Sequence, residues 1–174
     1  DRTHLTIGLQ DNGIRNRTTL TSAFNHVSGA DGYSAAYDPN DKSRFYQILN
    51  TAGARVTSDG ASKAGWFNFL SFFPFVGRHP TSTNNIIVGV GNFGPDSIYV
   101  STDEGSTFTK ISGIGGHRRV VYAPSNPNVI YIASSGGVWR TINGGTNWTA
   151  LHTNPGFPTN FTVTCVSVHP ANSS

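Results

Sequence analysis

A short phrase ending in proline recurs four times along the chain at nearly constant spacing. Its copies are Tyr37-Asp38-Pro39, Arg78-His79-Pro80, Tyr122-Ala123-Pro124 and Val168-His169-Pro170, so the prolines are 41, 44 and 46 residues apart. An apolar run resumes within about ten residues of each of the first three copies. A period of about 40 to 50 residues with strand-like content is typical of propeller blades, since each small sheet buries its faces only against its neighbours. The repeat therefore predicts a β-propeller.

A second motif, in phase with the first, follows the pattern hydroxyl-x-Asx-x-Gly-x-x-aromatic. Its two copies have Asp103 and Asn143 at the Asx position, 40 residues apart, and a weakened third copy begins at Thr57. An Asx side chain accepts backbone N–H bonds from nearby residues and glycine tolerates positive φ, so the motif predicts a tight turn between two strands. The residues assigned to the two turns are Ser101, Asp103, Gly105, Phe108, Thr141, Asn143, Gly145 and Trp148.

These turns resemble the Asp-box (BNR) repeat of sialidases, sortilin-type (VPS10) receptors and xyloglucanase-like glycosidases. The resemblance covers the chain from about Asp31 onward, and Gly8-Leu9-Gln10-Asp11-Asn12-Gly13 is similar to segments of secreted bacterial propellers of that group. It implies an all-β fold of four-stranded antiparallel blades. In that family the boxes join the third and fourth strands on the face away from the ligand site, so the boxes are expected to be structural and not catalytic.

Apolar runs broken by Gly, Asn, Asp and Pro divide the chain into blades. We expect whole blades over about 32–71, 72–112 and 116–153, a partial blade over 1–30, and the first strand of a further blade at 161–168. These blades form one propeller segment of 174 residues, whereas propellers usually close with four to eight blades. We therefore expect a fragment of a longer propeller. The alternative is a short chain that closes its ring with identical copies.

The composition fits a secreted or cell-surface β protein rich in turns, because 12% of the residues are charged and 20 are Gly. The net charge of +3 is small and the basic residues are mostly dispersed, so no nucleic-acid surface is predicted. The longest apolar stretch is too short to span a bilayer. Cys165, the single cysteine, lies in an alternating apolar run and is predicted to be a buried thiol.

Carboxylates in the loops opposite the boxes are the candidates for chemistry, because glycosidases commonly use two carboxylates that flank the scissile bond. Those loops hold Asp11, Asp31 and Asp96. Asp11 is the best placed, since Gln10 and Asn12 set two amides around its carboxylate at a tight turn. The alternative is an ordinary Asx turn. The early Arg-Ile-Pro segment of sialidases and the Asp-x-Gly-Gly motifs of xyloglucanase relatives are missing, which argues against hydrolysis.

The other candidates for ligand binding are His117, Arg118 and Arg119, which we place in a loop entering a blade. Arginines there could bind a carboxylate or sulfate bidentately, and the alternative is a solvated loop. No cofactor or metal site is predicted, because the sequence has no Gly-rich phosphate loop and no Cys or His spacing suited to zinc. The sequence thus predicts a propeller segment that binds a glycan or a protein, the alternative being part of a glycoside hydrolase.

Overall fold

The computed structural model describes residues 3–38, 40–49, 52–57, 63–68, 75–90, 97–112, 114–158 and 161–172. Within these ranges the chain forms fifteen β-strands and one 3-10 turn, η1, at Leu151–Thr153. None of the described residues forms an α-helix, so this part of the chain has no helix that could cross a membrane. The all-β class expected from the sequence is confirmed.

The strands form four antiparallel sheets that follow one another along the chain. Sheet 1 contains β1 (Leu5–Leu9), β2 (Gly13–Arg17) and β3 (Asn25–Ser28). Sheet 2 contains β4 (Gly32–Tyr37), β5 (Arg44–Leu49), β6 (Ala52–Thr57) and β7 (Lys63–Asn68). Sheet 3 contains β8 (Phe75–Arg78), β9 (Ile86–Val90), β10 (Ser97–Ser101) and β11 (Thr109–Ser112). Sheet 4 contains β12 (His117–Ala123), β13 (Asn126–Ser134), β14 (Gly137–Thr141) and β15 (Thr149–Ala150). Three sheets of four antiparallel strands confirm the predicted blade architecture.

The first strands of sheets 2, 3 and 4 lie side by side, with β4 against β8 and β8 against β12. Two contacts show that β4 and β8 run in the same direction. Ser34 Oγ accepts a hydrogen bond from Val76 N at 3.2 Å, and further along both strands Asp38 meets Arg78 at 3.2 Å. Since the other strands of each sheet follow in chain order, β4, β8 and β12 form the inner row of the arrangement.

Sheet 1 is related to its neighbour in a different way. β1 runs opposite to β4, because Gly8 lies against Gly32 while His4 packs edge-on against the ring of Tyr37. In a row whose first strands are parallel, a strand with this reversed direction corresponds to the second strand of a sheet. β1, β2 and β3 therefore correspond to strands two, three and four of the other sheets, and no described residue lies in the place of strand one.

The hydrophobic core lies between neighbouring sheets and is built mainly from their second strands. The continuous apolar runs of these strands agree with this, because a strand with neighbours on both faces buries successive side chains on both sides. The two largest clusters are Tyr46, Ile48, Ile86 and Val88 between sheets 2 and 3, and Ile87, Ile98, Val120, Ile130 and Ile132 between sheets 3 and 4. Burying one such side chain contributes about 1.5–3 kcal/mol, so these clusters hold consecutive sheets together.

The C-terminal segment, residues 161–168, is extended but does not join a sheet ladder. Val163 N donates to Ser134 O at 3.2 Å, and Val166 and Val168 pack on sheet 4. Cys165 is exposed, so the prediction of a buried thiol is wrong. The reason is a shift in the alternation: the half-buried valines are at positions 163, 166 and 168, which leaves Cys165 on the exposed side.

Candidate functional site

The turn between β10 and β11 is organised by the side chain of Asp103. Its Oδ1 accepts hydrogen bonds from Thr107 N at 2.8 Å and Ser101 Oγ at 2.7 Å, and its Oδ2 accepts from Thr107 Oγ1 at 2.6 Å. Ser101 Oγ in turn accepts from Gly105 N at 2.8 Å. The hydrogen bonds from Thr107, with that from Ser101, lower the pKa of Asp103 to about 2. A carboxyl group this acidic stays ionised and is unsuited to act as a general acid.

The turn between β14 and β15 repeats this arrangement with an amide in place of the carboxylate. Asn143 Oδ1 accepts from Asn147 N at 3.0 Å and from Thr141 Oγ1 at 2.8 Å, and Thr141 Oγ1 accepts from Gly145 N at 3.1 Å. An uncharged side chain thus makes two of the three contacts of Asp103, the exception being the bond from the Thr107 hydroxyl. The aromatic residues that close the two turns, Phe108 and Trp148, pack against the clusters between sheets. Both turns therefore serve the fold.

A third turn of the same length joins β2 and β3, and the sequence reasoning missed it. Hydroxyl groups replace the Asx side chain: Ser22 N donates to Thr19 Oγ1 at 3.0 Å, and Thr19 N donates to Ser22 Oγ at 3.3 Å. The guanidinium of Arg17 lies 5.3 Å from the centre of the Phe24 ring. The signal in the sequence is the spacing, because Thr19 precedes Asp103 by 84 residues, which is two periods. The weakened copy beginning at Thr57 extends outside the described residues.

In three of the four proline phrases the residue before proline caps the following turn, and in the third phrase that residue is Ala123, which has no capping group. Asp38 Oδ1 accepts from Asn40 N at 2.9 Å, His79 Nδ1 from Ser82 N at 2.9 Å, and His169 Nδ1 from Ala171 N at 3.2 Å. Since Nδ1 of His79 accepts a backbone N–H, the neutral ring is favoured. Burial lowers the pKa of His79, and the nearby guanidinium lowers it further. These side chains stabilise corners and are not arranged for catalysis.

A charged cluster lies at the corners of sheets 2 and 3, on the same side as the Asx turns. The side chain of Asp38 is fully buried, and its Oδ2 lies 3.2 Å from Arg78 Nη2 and 3.6 Å from Arg44 Nε. Arg44 also reaches Glu104 of the β10–β11 turn at 3.2 Å. The guanidinium of Arg78 lies 4.1 Å from the centre of the Tyr46 ring, and burial lowers the pKa of Arg78. The pair of Asp38 with Arg78 and the pair of Arg44 with Glu104 both join sheet 2 to sheet 3.

The opposite side of the arrangement carries the predicted carboxylates Asp11 and Asp31. Asp11 lies at the tip of the β1–β2 turn with φ of 59°, and its N–H donates to Asp31 Oδ1 at 2.9 Å. Desolvation raises the pKa of Tyr33, and the charge of Asp31, a hydrogen bond with it and the charge of Asp11 raise it further. The structure thus brings two acidic residues from different loops together through the backbone of Asp11, with the phenol of Tyr33 within their electrostatic reach.

The residues beside Asp11 close the β1–β2 loop. Asn12 Nδ2 donates to Gln10 O at 3.3 Å and Asn12 N donates to Leu9 O at 3.3 Å, so the loop folds as a compact turn. The side chains of Gln10, Asp11 and Asn12 are all exposed. The loop is therefore a tight turn that presents polar groups to solvent.

The remaining candidates are not gathered at this loop by any described contact. Asp96 lies outside the described residues. His117 and Arg118 lie in β12, which pairs with β13 from His117 onward, so the prediction of a loop is wrong. A register shift between His117 and Arg119 marks a bulge, which accommodates the basic run within a strand. Arg119 is exposed and lines a cavity of about 220 Å³ between the inner strands.

Metal binding has no support in the described part of the chain. It contains no group of three or more His, Cys, Asp and Glu side chains placed to hold a metal ion. The pair of Asp11 and Asp31 alone supplies too few ligands for the six to eight that Ca²⁺ takes. The loops that carry Asp11 and Asp31 offer hydrogen bonding and charge.

Comparison with solved structures identifies the architecture. The chain is similar to an ancestral GH74 enzyme (TM-score 0.69, 20% identity), covering 85% of this chain and 22% of that one. It is also similar to TolB from Acinetobacter baumannii (TM-score 0.68, 12% identity, 86% and 41% covered) and to a chain of the nidogen/laminin complex (TM-score 0.64, 16% identity, 85% and 60% covered).

The four sheets form part of a β-propeller. Identities at this level show the fold alone, and the chain spans about a fifth of the GH74 enzyme's length. No family model matches the chain, and no curated protein matches it. The fold inferred from the proline phrases and the Asx turns is thus confirmed independently of any close relative.

Proposed function

We propose that this chain is a segment of a secreted or cell-surface Asp-box propeller that binds a ligand through the face carrying Asp11, Asp31 and Tyr33. We name this the loop face and define it by those residues together with Gln10 and Asn12. The observation that carries the proposal is the contact of Asp11 N with Asp31 Oδ1, which joins two separate loops into one polar surface. The ligand that we infer first is a glycan.

The chemistry of the loop face supports a glycan. Carboxylates and amides accept and donate hydrogen bonds with the paired hydroxyls of a sugar, and a tyrosine offers both a ring and a hydroxyl. The Asp31 side chain accepts a hydrogen bond from the backbone of Asp11 at the tip of the β1–β2 turn. The neighbouring residues Gln10 and Asn12 are therefore positioned before a ligand arrives. Such positioning reduces the entropy lost on binding.

The Asx turns support a ligand site on the side of Asp11 and Asp31, because the turns themselves are structural and offer no group for hydrolysis. Asp103 uses both oxygens within its own turn, and Asn143 makes equivalent contacts without a charge. Because an uncharged amide can organise the turn in place of a carboxylate, the carboxylate of Asp103 has a structural role. The family resemblance also assigns the boxes to the side away from the ligand, which matches their separation from Asp11 and Asp31.

The second candidate function is part of a glycoside hydrolase. Two observations favour it: the backbone of Asp11 contacts the carboxylate of Asp31, which brings the two acidic residues onto neighbouring loops, and similar folds occur in GH74 enzymes, including a xyloglucanase from Xanthomonas campestris (TM-score 0.58, 16% identity). Hydrolysis requires one carboxyl as general acid and the other as base or nucleophile. In that case the loop face would both bind and cleave the same sugar.

One experiment separates the two functions. The chain is titrated calorimetrically with xyloglucan oligosaccharides and screened on an array of other glycans, while reducing ends are measured in parallel. We expect binding of a glycan without release of reducing ends. Asp31→Asn should weaken binding about tenfold, which corresponds to about 1.4 kcal/mol. Release of reducing ends that Asp31→Asn abolishes would establish the hydrolase instead.

The matched control is Asp41→Asn, which removes the same charge on the side of the Asx turns. Asp41 pairs with Arg44 at 2.9 Å and is partly exposed, so this variant should fold and bind as the parent does. Equal loss of binding in both variants would mean that overall charge, and not the loop face, is responsible. Absence of binding to every glycan tested would contradict the proposed ligand class.

A further inference from the structure

Residues 81–85, which we name the corner loop, connect sheet 2 with the Asx turn of sheet 3. On one side Asn40 Nδ2, at the corner of sheet 2, donates to Thr81 O at 2.8 Å. On the other side Glu104 N, in the β10–β11 turn, donates to Asn84 O at 3.0 Å. The corner loop itself follows the second proline phrase and lies between β8 and β9. Both contacts therefore depend on how this one loop is held.

The side chain of His79 holds the beginning of the corner loop. Its Nδ1 accepts hydrogen bonds from Ser82 N at 2.9 Å and from Thr81 N at 3.2 Å. A ring nitrogen that accepts N–H groups carries no proton, so the proton of the neutral ring is on Nε2. The ring is half-buried and lies edge-on against Tyr122 of β12, with 5.2 Å between the ring centroids. Burial raises the pKa of Tyr122 to about 12, so this neighbour stays an uncharged phenol.

The charged groups around His79 favour the neutral ring. Arg78 is the adjacent residue, and its guanidinium reaches into the corner loop. The nearby carboxylates already have partners, since Asp38 pairs with Arg78 and Glu104 pairs with Arg44. Burial lowers the pKa of His79, and the charge of Arg78 lowers it further. A proton on His79 would place a second positive charge beside Arg78.

We propose that His79 is an acid-sensitive cap on the joint between sheets 2 and 3. In neutral solution its Nδ1 accepts two backbone N–H groups and holds the corner loop against Asn40 and Glu104. In acid a proton from solvent binds Nδ1 and turns this acceptor into a donor. The N–H groups of Thr81 and Ser82 then lose their partner. The corner loop is released, and its contacts with sheet 2 and with the Asx turn weaken.

The equivalent corners show that this cap is particular to sheet 3. In sheet 2, Asp38 Oδ1 accepts from Asn40 N at 2.9 Å and from Asp41 N at 3.1 Å, so a carboxylate caps the same two positions. In sheet 4 the residue before proline is Ala123, which has no capping group. A histidine cap with two backbone donors thus distinguishes the corner of sheet 3 from the corners of its two neighbours.

The direction of the pH effect follows from the protons bound by the unfolded chain. An unperturbed histidine titrates near pH 6.5. Because the pKa of His79 is lower in the folded protein, the unfolded state binds more protons as the pH falls below that value. The stabilisation by His79 is therefore complete above about pH 6.5 and is lost progressively below it. Asp103 remains ionised in this range, since its pKa is about 2.

The first test is amide hydrogen exchange of the full chain between pH 8 and pH 5, corrected for the intrinsic exchange rate at each pH. We expect the protection of the Ser82 and Glu104 amides to fall about tenfold toward pH 5, as for the loss of about one hydrogen bond. The control lies in the same molecule. Gly144 N donates to Asn128 O at 2.9 Å in the equivalent place of sheet 4, whose corner has no histidine cap. Unchanged protection of Ser82, or an equal loss at Gly144, would overturn the proposal.

The second test replaces the titrating cap with one that does not titrate. In His79→Asn the amide oxygen can accept the two N–H groups as Asp38 does at its own corner. The protection of Ser82 should then no longer depend on pH. The matched control is His169→Asn, which removes the capping histidine of the fourth phrase and should leave the pH dependence at Ser82 as in the parent. A loss of protection in acid that persists in His79→Asn would assign the effect to another group and contradict the proposal.

A third measurement uses the parent chain alone, so it does not depend on the folding of a variant. In a nitrogen-15 NMR titration, the Nδ1 resonance of His79 reports protonation, and the amide resonances of Thr81 and Ser82 report release of the corner loop. We expect all three to change with a common midpoint below the ordinary histidine value of about 6.5. Protonation of Nδ1 without a change at the two amides would contradict release. None of these outcomes bears on whether the loop face binds a glycan.

Discussion

Asp38 of sheet 2 and Arg78 of sheet 3 form a buried ion pair, with 3.2 Å between Oδ2 and Nη2. The two residues stand at successive proline corners, 40 positions apart in the chain. Arg78 also donates to three backbone carbonyls of its own corner, those of Ser82, Thr83 and Asn85. The pair therefore ties the corner of sheet 2 to the corner of sheet 3, in addition to the apolar cluster between the two sheets.

Replacing Asp38 should test how far the fold depends on this pair. Asp38→Asn leaves the guanidinium of Arg78 buried without its counter-charge, and breaking a buried pair in this way typically costs about 3 kcal/mol or more. Urea denaturation of the parent and the variant gives the difference in unfolding free energy. Asp41→Asn is the control, since Asp41 is 36% exposed and a surface pair contributes about 1 kcal/mol or less. Equal losses of unfolding free energy in Asp38→Asn and Asp41→Asn would contradict a larger contribution from the buried pair.

The Asx turn at Asp103 predicts a specific dependence of stability on pH. Its pKa of about 2 in the folded protein lies below the value of about 4 for an unperturbed aspartate. Because the folded pKa is depressed, the stabilisation is present above pH 4 and is lost as the pH falls toward 2. Asp103→Asn should remove this contribution, so that its melting temperature differs from that of the parent at pH 5 and converges with it at pH 2.

The reciprocal variant supplies the control for that titration. Asn143 accepts the backbone contact and one hydroxyl contact that Asp103 has, but Asn147 stands where Thr107 supplies a second hydroxyl, so Asn143→Asp should gain a smaller pH-dependent contribution of the same sign. Melting curves recorded at intervals between pH 2 and pH 5 compare the three proteins. A melting temperature that depends on pH identically in all of them would contradict the assignment of the shift to the turn.

Two adjacent glycines of the β14–β15 turn should respond differently to substitution. Both have positive φ, 68° at Gly144 and 99° at Gly145. A Cβ at Gly144 meets open space, whereas one at Gly145 would lie 2.6 Å from Ile111 Cδ1 of sheet 3. Gly144→Ala should therefore cost about 1 kcal/mol from backbone strain alone, and Gly145→Ala about 3 kcal/mol from strain and overpacking. Urea denaturation measures the unfolding free energy of both variants. A smaller loss of unfolding free energy for Gly145→Ala than for Gly144→Ala would contradict the close packing of Gly145 against Ile111.

The proximity of Asp31 to Tyr33 can be tested by titration. Burial contributes most to the raised pKa of Tyr33, and Asp31 adds a charge and a hydrogen bond. Asp31→Asn should therefore lower the pKa of Tyr33 part of the way toward 10, measured from the NMR shift of the ring carbon that bears the hydroxyl. Tyr37 is the internal control, because burial raises its pKa without a contribution from Asp31. A pKa of Tyr33 that does not change in Asp31→Asn would contradict the contact between Asp31 and Tyr33.

The local features of the chain were predictable because their physics is local. The Asx turn at Asp103 depends on groups within four residues of it, so its pattern is visible in the sequence. The turn at Thr19 was missed because hydroxyls make its contacts and no Asx residue marks it. Cys165 was misplaced because one extra residue in an extended segment reverses which side chains are exposed, and the alternation before it does not reveal the shift.

Repeated antiparallel sheets are predictable from the amino-acid sequence, since period, apolar runs and turn chemistry are properties of short segments. Which distant groups meet is visible only in the folded structure. The pairing of Asp38 with Arg78 and the contact of Asp11 with Asp31 both depend on how one sheet stacks on the next. Stacking is set by the summed packing of many side chains between sheets, which no single segment encodes.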